Sequence, residues 1–373
     1  MKYYIVAGEA SGDLHASNMM KEIKKNDPKA QFRCWGGDLM QAQGGMIVKH
    51  YKDLAFMGFI DVILNIRTIL KNIKFCKKDI KAYSPDAVIL VDYPGFNLRI
   101  SNYIRNTLKI QTFYYISPTV WAWKPNRAKT IIKTIDSLYV IFPFEKKWYQ
   151  DHFNYSVEFV GHPLLDAIEN RQNNSKDLRK ELGLSEKPII LLMPGSRTRE
   201  IQNMLPIMGA MVSFYPDYEF VIAGAPSQEE IFYRKFVPHD IKFVSNKTYD
   251  LLSIAHAALV TSGTATLETA LFNVPEIICY KGDPISWWIA KTFLVKLDYI
   301  GIVNLIMERE IAKELLQKEM NVKNLKKELD ILLSDEGRQK VLNNYKKLHE
   351  RLGGKGASKR LADQLYNQMC KIT

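Results

Sequence analysis

The segment "PIILLMPG", residues 188–195, decides how the chain is read. It is a short apolar run stopped by Pro-Gly, the pattern of a strand buried on both faces and closed by a turn. It follows a polar stretch, "ENRQNNSKD" (169–177), at which an earlier series of such runs has ended. That series comprises "YYIVAG" (3–8), "DAVILVD" (86–92), "TFYYIS" (112–117) and "SLYVIF" (137–142), closed by "VEFVGHPLLD" (157–166). From 188 the alternation restarts, with "YEFVIAGA" (218–225), "AALVTSG" (257–263) and "EIICYKG" (276–282). Helix-period segments separate the runs, so the expected class is α/β with two Rossmann-like domains. The expected division is residues 1–165, residues 166–345 and a helical tail at 346–373, where Ala357, Leu361, Leu365 and Met369 share one helical stripe. Ligands of open α/β sheets bind beyond the carboxyl ends of the strands, so two such sheets facing each other would carry their strand-end loops across one cleft.

The 373 residues, 47% hydrophobic and 25% charged, are ordinary for a well-cored globular protein. The first apolar stretch is too short for a signal-peptide core, and no run of about 18 apolar residues exists, so the chain is expected in the cytosol with no membrane span. Cysteines 34, 76, 279 and 370 have no CxxC spacing and the histidines form no HxH or HExxH pair, which disfavours a disulfide framework and a zinc site. A net charge of +12 biases partners toward anions without choosing among nucleic acid, an acidic membrane surface and phosphorylated small molecules.

Two loops of the second half suit phosphate. "LLMPGSRTREI" (191–201) runs from a strand through Gly195, Ser196 and Arg197 into a helix, where free backbone amides, the helix dipole and a guanidinium converge. The plain alternative is a turn with a solvated arginine. "VTSGTATLE" (260–268) repeats the arrangement with Ser262, Gly263 and Thr264, and places Glu268 one turn in, where it can accept from ribose hydroxyls; its plain alternative is a helix cap. Neither loop is a Walker A sequence, nor does GxGxxG follow a strand, so ATP hydrolysis and nicotinamide or flavin chemistry are disfavoured.

The first half offers acids instead. "IVAGEASGDL" (5–14) carries Glu9, Ser11, Gly12 and Asp13, with His15 next to it, and Asp92 ends the strand "AVILVD". Carboxylates repel phosphate and suit a hydroxyl, so Asp92 is a candidate general base and Glu9 a second one, while Ser11, Gly12 and Asp13 form an acceptor loop. A turn or cap role is the alternative for Asp92, and a helix N-cap is the favoured one for Asp13. In "FMGFIDVILNIRTILKNIK" (56–74) a core-facing side of Phe59, Val62, Ile63, Ile66, Ile69, Leu70 and Ile73 leaves a second row, Phe56, Ile60 and Leu64, continued by Arg67, Lys71, Lys74 and Lys78. Such a patch suits an anionic bilayer interface; the alternative is a helix buried on two sides with a solvated basic end.

The motifs "AGEASGD" (7–13), "LAFMGF" (54–59), "ISPTVWAW" (116–123), "FPFEKKWY" (142–149), "VGHPLLD" (160–166), "PGSRTREI" (194–201), "SGTATLE" (262–268) and "LDYIGIVNLI" (297–306) appear in the order found in one family. The chain closely resembles the lipid-A-disaccharide synthases, from about residue 3 to about residue 320. The resemblance implies a GT-B type glycosyltransferase that needs neither cofactor nor metal. It implies inverting transfer of 2,3-diacylglucosamine from UDP to 2,3-diacylglucosamine 1-phosphate, giving the β-1,6 disaccharide and UDP. Asp92 corresponds to the family's essential carboxylate and Arg197 to its essential basic residue. The nucleotide set it implies is Gly195, Ser196, Arg197, Ser262, Gly263, Thr264, Glu268 and Asn304. Gly95 stands where many members carry a second Asp, which leaves Asp92 as the acid of its loop, and Asn304 lacks the Pro that often precedes it. Acylated substrates imply a peripheral place on the anionic cytoplasmic face of the inner membrane, and the family implies a homodimer that exchanges C-terminal segments. The competing readings are a UDP-N-acetylglucosamine 2-epimerase, which would act without lipid, and a non-catalytic peripheral membrane module. Nucleic-acid binding ranks below these because the cations are dispersed and no RNP1-like sequence occurs.

Overall fold

A computed structural model describes residues 1–54, 66–121, 126–169, 178–225, 228–238, 241–282 and 298–371. The chain divides into two compact units, Met1–Asn170 with Leu352–Thr373, and Arg171–Arg351.

The first unit holds a seven-stranded sheet built from β1 (Lys2–Ala7), β2 (Gln31–Gly36), β3 (Gly45–His50), β4 (Ala87–Val91), β5 (Gln111–Tyr115), β6 (Ser137–Val140) and β7 (Glu158–Phe159). All its ladders are parallel and the spatial order is β3-β2-β1-β4-β5-β6-β7. Helices pack on its faces, so central strands lose all exposure: Tyr4, Ile5, Val6, Val88, Ile89 and Leu90 are completely buried. The order reverses between β1 and β4, which opens the crevice in which sheets of this kind receive ligands.

The second unit repeats the plan with β8 (Ile189–Met193), β9 (Glu219–Gly224), β10 (Lys242–Ser245), β11 (Ala255–Thr261), β12 (Glu276–Tyr280) and β13 (Lys313–Leu316), ordered β10-β9-β8-β11-β12-β13 and again parallel. Its reversal lies between β8 and β11, and Met193 pairs with Val260 there.

The Ile66–Tyr83 helix buries Ile73, Cys76 and Ile80 and packs Ile69 against the first core. Leu70, expected on that core side, is instead 55% exposed, because it sits about 100° around the helix from Ile69 and the stripe 69, 73, 76, 80 leaves it outside. The Ala357–Cys370 helix lays its expected stripe, Ala357, Leu361, Leu365 and Met369, into the first unit. Asp166 accepts from the amides of Gly356 (2.7 Å) and Ser358 (2.8 Å) at the start of that helix, and Asn26 of the Ala10–Asn26 helix donates to Asp363 at 2.7 Å. Among the described residues no helix is long and apolar enough to cross a membrane.

Candidate functional site

At the reversal point of the first sheet, β1 ends in Gly8-Glu9 and β4 in Asp92-Tyr93. Both Asp92 (φ 43°) and Tyr93 (φ 48°) adopt the left-handed conformation, which costs energy for side chains other than glycine and is tolerated where the surroundings impose it. The chain thus turns sharply off the strand into the Pro94–Asn102 helix, and Pro94, with its preset φ, starts that helix. Glycine is required at position 8 by close approach: a Cβ there would lie 2.3 Å from the Tyr93 ring. Burial, then the nearby charge of Glu9, raise the Asp92 carboxyl to about 6, against the amide of Tyr93, which lowers it. A carboxylate that changes protonation near neutrality can take a proton from a hydroxyl and later release it. Glu9 is exposed, and its position beside Asp92 fits a modulator of that carboxyl as well as a second acid.

The rest of the "EASGD" loop does something else. Asp13 is 2% exposed and its carboxylate accepts from the amides of Gly37 (2.8 Å), Leu39 (3.1 Å) and Met40 (3.1 Å). It therefore caps the neighbouring Asp38–Ala42 helix rather than presenting an acid to an acceptor, and it is a cap of a different helix from its own. Gly12 is buried with a Cβ position 3.1 Å from Ala7, while Ser11 is exposed. His15 is buried, and burial pushes it down to about 4, so it is neutral at physiological pH.

In the second unit both expected phosphate loops fall at the reversal point, the first after β8 and the second after β11. Their amides are not equally available. Glu200 folds back over the first turn: its carboxylate accepts from the amides of Ser196 and Arg197, both at 3.2 Å, and from the Arg197 guanidinium at 3.0 Å. The expectation of free amides at 196 and 197 is thus corrected, because an internal carboxylate occupies the place of an anion. Gly195, at φ 101°, leaves room for it, since a Cβ would lie 2.5 Å from the Glu200 carboxylate. The Arg197 side chain is 83% exposed.

The second loop has no side-chain cap at Gly263, where the Thr264–Leu271 helix begins. Ser262 donates its hydroxyl to the Ile300 carbonyl at 3.0 Å, anchoring the loop, and Thr264 and Gly263 are exposed. Glu268 accepts from the Tyr249 hydroxyl at 3.2 Å, and burial raises its carboxyl. Asn304 is completely buried, with its amide nitrogen donating to Ala312 and Glu314 (2.8 Å each) and its oxygen accepting from Ile311 (2.7 Å) and Ala312 (3.0 Å). Its hydrogen-bonding capacity is filled, so direct contact with a nucleotide is corrected to a role in stapling the Ile302–Met307 helix to the segment before β13.

Phe56, Ile60 and Leu64 lie outside the described residues. Arg67 and Lys71 are exposed on the Ile66–Tyr83 helix, together with Lys74 and Lys78, and Phe75, 44% exposed, adds an apolar group among them. The sequence reading missed the groups that shape these loops: Tyr93, Asn97 and Tyr114 around Asp92, Glu200 over the first turn and Tyr249 beside Glu268. Only Glu200 carried a signal, as an acid three positions after a helix-starting residue.

A sequence profile described as Lipid-A-disaccharide synthetase matches residues 3–368. The chain belongs to this family. The lipid-A-disaccharide synthase of Syntrophus aciditrophicus is 36% identical over 368 residues, 96% of this chain and 95% of that one. The enzyme of that name from Coxiella burnetii is 34% identical over 97% of each chain. Among solved structures, the UDP-GlcNAc 2-epimerase of Neisseria meningitidis, bound to UDP-GlcNAc, is similar with a TM-score of 0.69 at 14% identity, covering 98% of this chain and 100% of its own. A glycosyltransferase from Rickettsia africae gives 0.58 at 12% identity, covering 100% and 99%. At such identities the structural likeness establishes the fold alone; membership of the synthetase family rests on the sequence matches.

Proposed function

We propose that the protein condenses UDP-2,3-diacylglucosamine with 2,3-diacylglucosamine 1-phosphate, releasing UDP and the β-1,6-linked lipid A disaccharide 1-phosphate. The observation that carries the chemistry is Asp92, held left-handed at the reversal point of the first sheet with its carboxyl raised to about 6. Asp92 takes the proton of the acceptor's 6-hydroxyl as that oxygen forms a bond to the anomeric carbon. The bond from that carbon to the UDP oxygen breaks on the opposite face, so the configuration inverts and the electron pair leaves on the diphosphate. Arg197 and the uncapped start of the Thr264–Leu271 helix then stabilise the leaving charge, and Glu268 accepts from the ribose hydroxyls. For the diphosphate to reach the 196–197 amides, Glu200 must give them up.

Acyl chains on both substrates give the basic, partly apolar face at Arg67, Lys71, Lys74 and Phe75 a use: it docks on the anionic cytoplasmic face of the inner membrane. A homodimer that exchanges the Ala357–Cys370 helix is part of the same reading, a partner's helix then making the Asp166 and Asn26 contacts. The test is to incubate the purified protein with both lipid substrates and follow UDP and disaccharide. UDP release that requires the acylated acceptor supports transfer. Epimerised UDP-sugar without acceptor, or vesicle binding without UDP, overturns it.

A further inference from the structure

The bend that carries Asp92 is held by two buried side chains that nothing else in the reaction requires. Asn97 is completely buried on the Pro94–Asn102 helix, and its amide nitrogen donates to the carbonyls of Asp92 (2.7 Å), Val91 (3.3 Å) and Val6 (3.4 Å). Three acceptors share two hydrogens, so the amide clasps the ends of β4 and β1 at the point where strand order reverses. The Tyr114 hydroxyl, from the next strand β5, donates to the same Asp92 carbonyl at 2.5 Å. The amide orientation is fixed, since a flip would set the Asn97 oxygen against three carbonyl oxygens. As it stands, that oxygen is buried without a hydrogen-bond partner.

We infer that Asn97, assisted by Tyr114, is a positioning residue: by gripping the Asp92 carbonyl it imposes the left-handed backbone at residue 92 and so aims the carboxylate at the acceptor hydroxyl. The inference rests on Asp92 being the proton acceptor of the proposed reaction. The geometry explains why both non-glycine residues hold positive φ, since a carbonyl held from two sides cannot swing to relax the strand end. Release of the clasp lets Asp92 relax toward solvent, which removes the burial that raises its carboxyl.

The test uses Asn97→Ala, Tyr114→Phe, Asp92→Asn and the double variant Asn97→Ala with Asp92→Asn in the full-length protein. Asn97→Ala is expected to lower kcat on the order of 10- to 100-fold with KM for both substrates nearly unchanged, and to move the acidic limb of the kcat/KM profile to lower pH. On the residual rate of Asp92→Asn it adds no further loss, because the two residues act as one unit. Tyr114→Phe removes one hydroxyl and gives a smaller loss in the same direction, and it carries the comparison where Asn97→Ala fails to fold. Full activity in Asp92→Asn overturns the base assignment itself. An inactive Asp92→Asn beside clasp variants with unchanged kcat and acidic limb overturns the positioning role alone, as does an equal further loss in the double variant.

Discussion

Asp92→Asn is expected to make the protein more stable while removing its turnover, and the size of the gain follows from the carboxyl's surroundings. Burial and the charge of Glu9 raise Asp92 from 3.8 to about 6 in the folded chain. For an acid raised by folding the sign is fixed. Well below 3.8 the group is protonated in both states and folding is unaffected; as pH rises the unfolded chain ionises first, and the folded state is progressively disfavoured until the folded group ionises too. Linkage over this interval gives a cost of about 1 kcal/mol near pH 4.5 and about 3 kcal/mol near pH 7.5, an upper bound because the group retains some solvent contact. Asparagine matches the protonated acid in shape, carries no charge and tolerates the left-handed backbone better.

Denaturant unfolding of both proteins at the two pH values reads the difference directly, as a gap that widens by about 2 kcal/mol from the lower to the higher pH. Turnover in the same samples should fall on the order of 10²- to 10⁴-fold, the usual contribution of a general base. A stability gap that does not grow with pH refutes the reasoning, since Asp92 would then carry no folding cost when ionised. Wild-type kcat/KM should itself rise with pH through about 6, as Asp92 becomes the base form.

Other substitutions separate structural from chemical roles. Arg197→Ala, which removes an 83% exposed side chain, should leave the unfolding midpoint nearly unchanged and cost about 2.7 to 4 kcal/mol of transition-state stabilisation, read as kcat against UDP-sugar. Asp13→Ala strands three amides and should destabilise the first unit by about 3 kcal/mol or more in thermal or urea unfolding, with normal kcat per folded molecule. Glu200→Ala unties the amides of residues 196 and 197 and should cost about 0.5 to 2 kcal/mol of stability while tightening UDP, measured by calorimetry. Neutralising Arg67 and Lys71 to glutamine should weaken sedimentation with anionic vesicles by about 1 kcal/mol per residue and leave turnover on detergent-dispersed substrates intact.

Most of the fold was legible because central parallel strands are continuous apolar runs: "AVILV" and "IILLM" have no other use than a sheet covered on both faces. Four strands were missed, and three of them, β3, β10 and β13, lie at sheet edges where one side of the ladder is open and polar residues are tolerated. The fourth, β2, reads "QFRCWG", and its Arg33 breaks the apolar run only because it reaches out to Asp79, at 2.7 Å, a pairing that sequence cannot show. The positions of Asp92 and Arg197 on turns after strands, and of Glu268 one turn into the helix after β11, were legible in the sequence. Asn304 was misread for the opposite reason: a polar residue near a motif looks like a ligand contact, and only its tertiary partners show that its capacity is already used; Asp13 is the cap that was favoured for it, but of the Asp38–Ala42 helix rather than its own.

The two units solve the same topological problem in contrasting ways. Each has a reversal of strand order, where two strand ends diverge, while the next strand outward still pairs: Tyr115 accepts from the Asp92 amide and Cys279 from the Ser262 amide. In the second unit the exposed groups there are amides at helix starts, and they attract anions; Glu200 is the internal anion that answers one of them. In the first unit the helix after β4 begins with Pro94, which has no amide hydrogen to offer, and the strand end is closed by Asn97 and Tyr114 donating to carbonyls. At the end of β4 the side-chain donors are thus spent on carbonyls, and the charge of Glu9 adds to burial in raising the Asp92 carboxyl. A Pro94→Ala variant tests this contrast. It adds one amide at the head of the helix beside Asp92, and a new donor there should stabilise the carboxylate, moving the acidic limb of kcat/KM below about 6. An unmoved limb would mean that the missing amide has no bearing on how the acid is tuned.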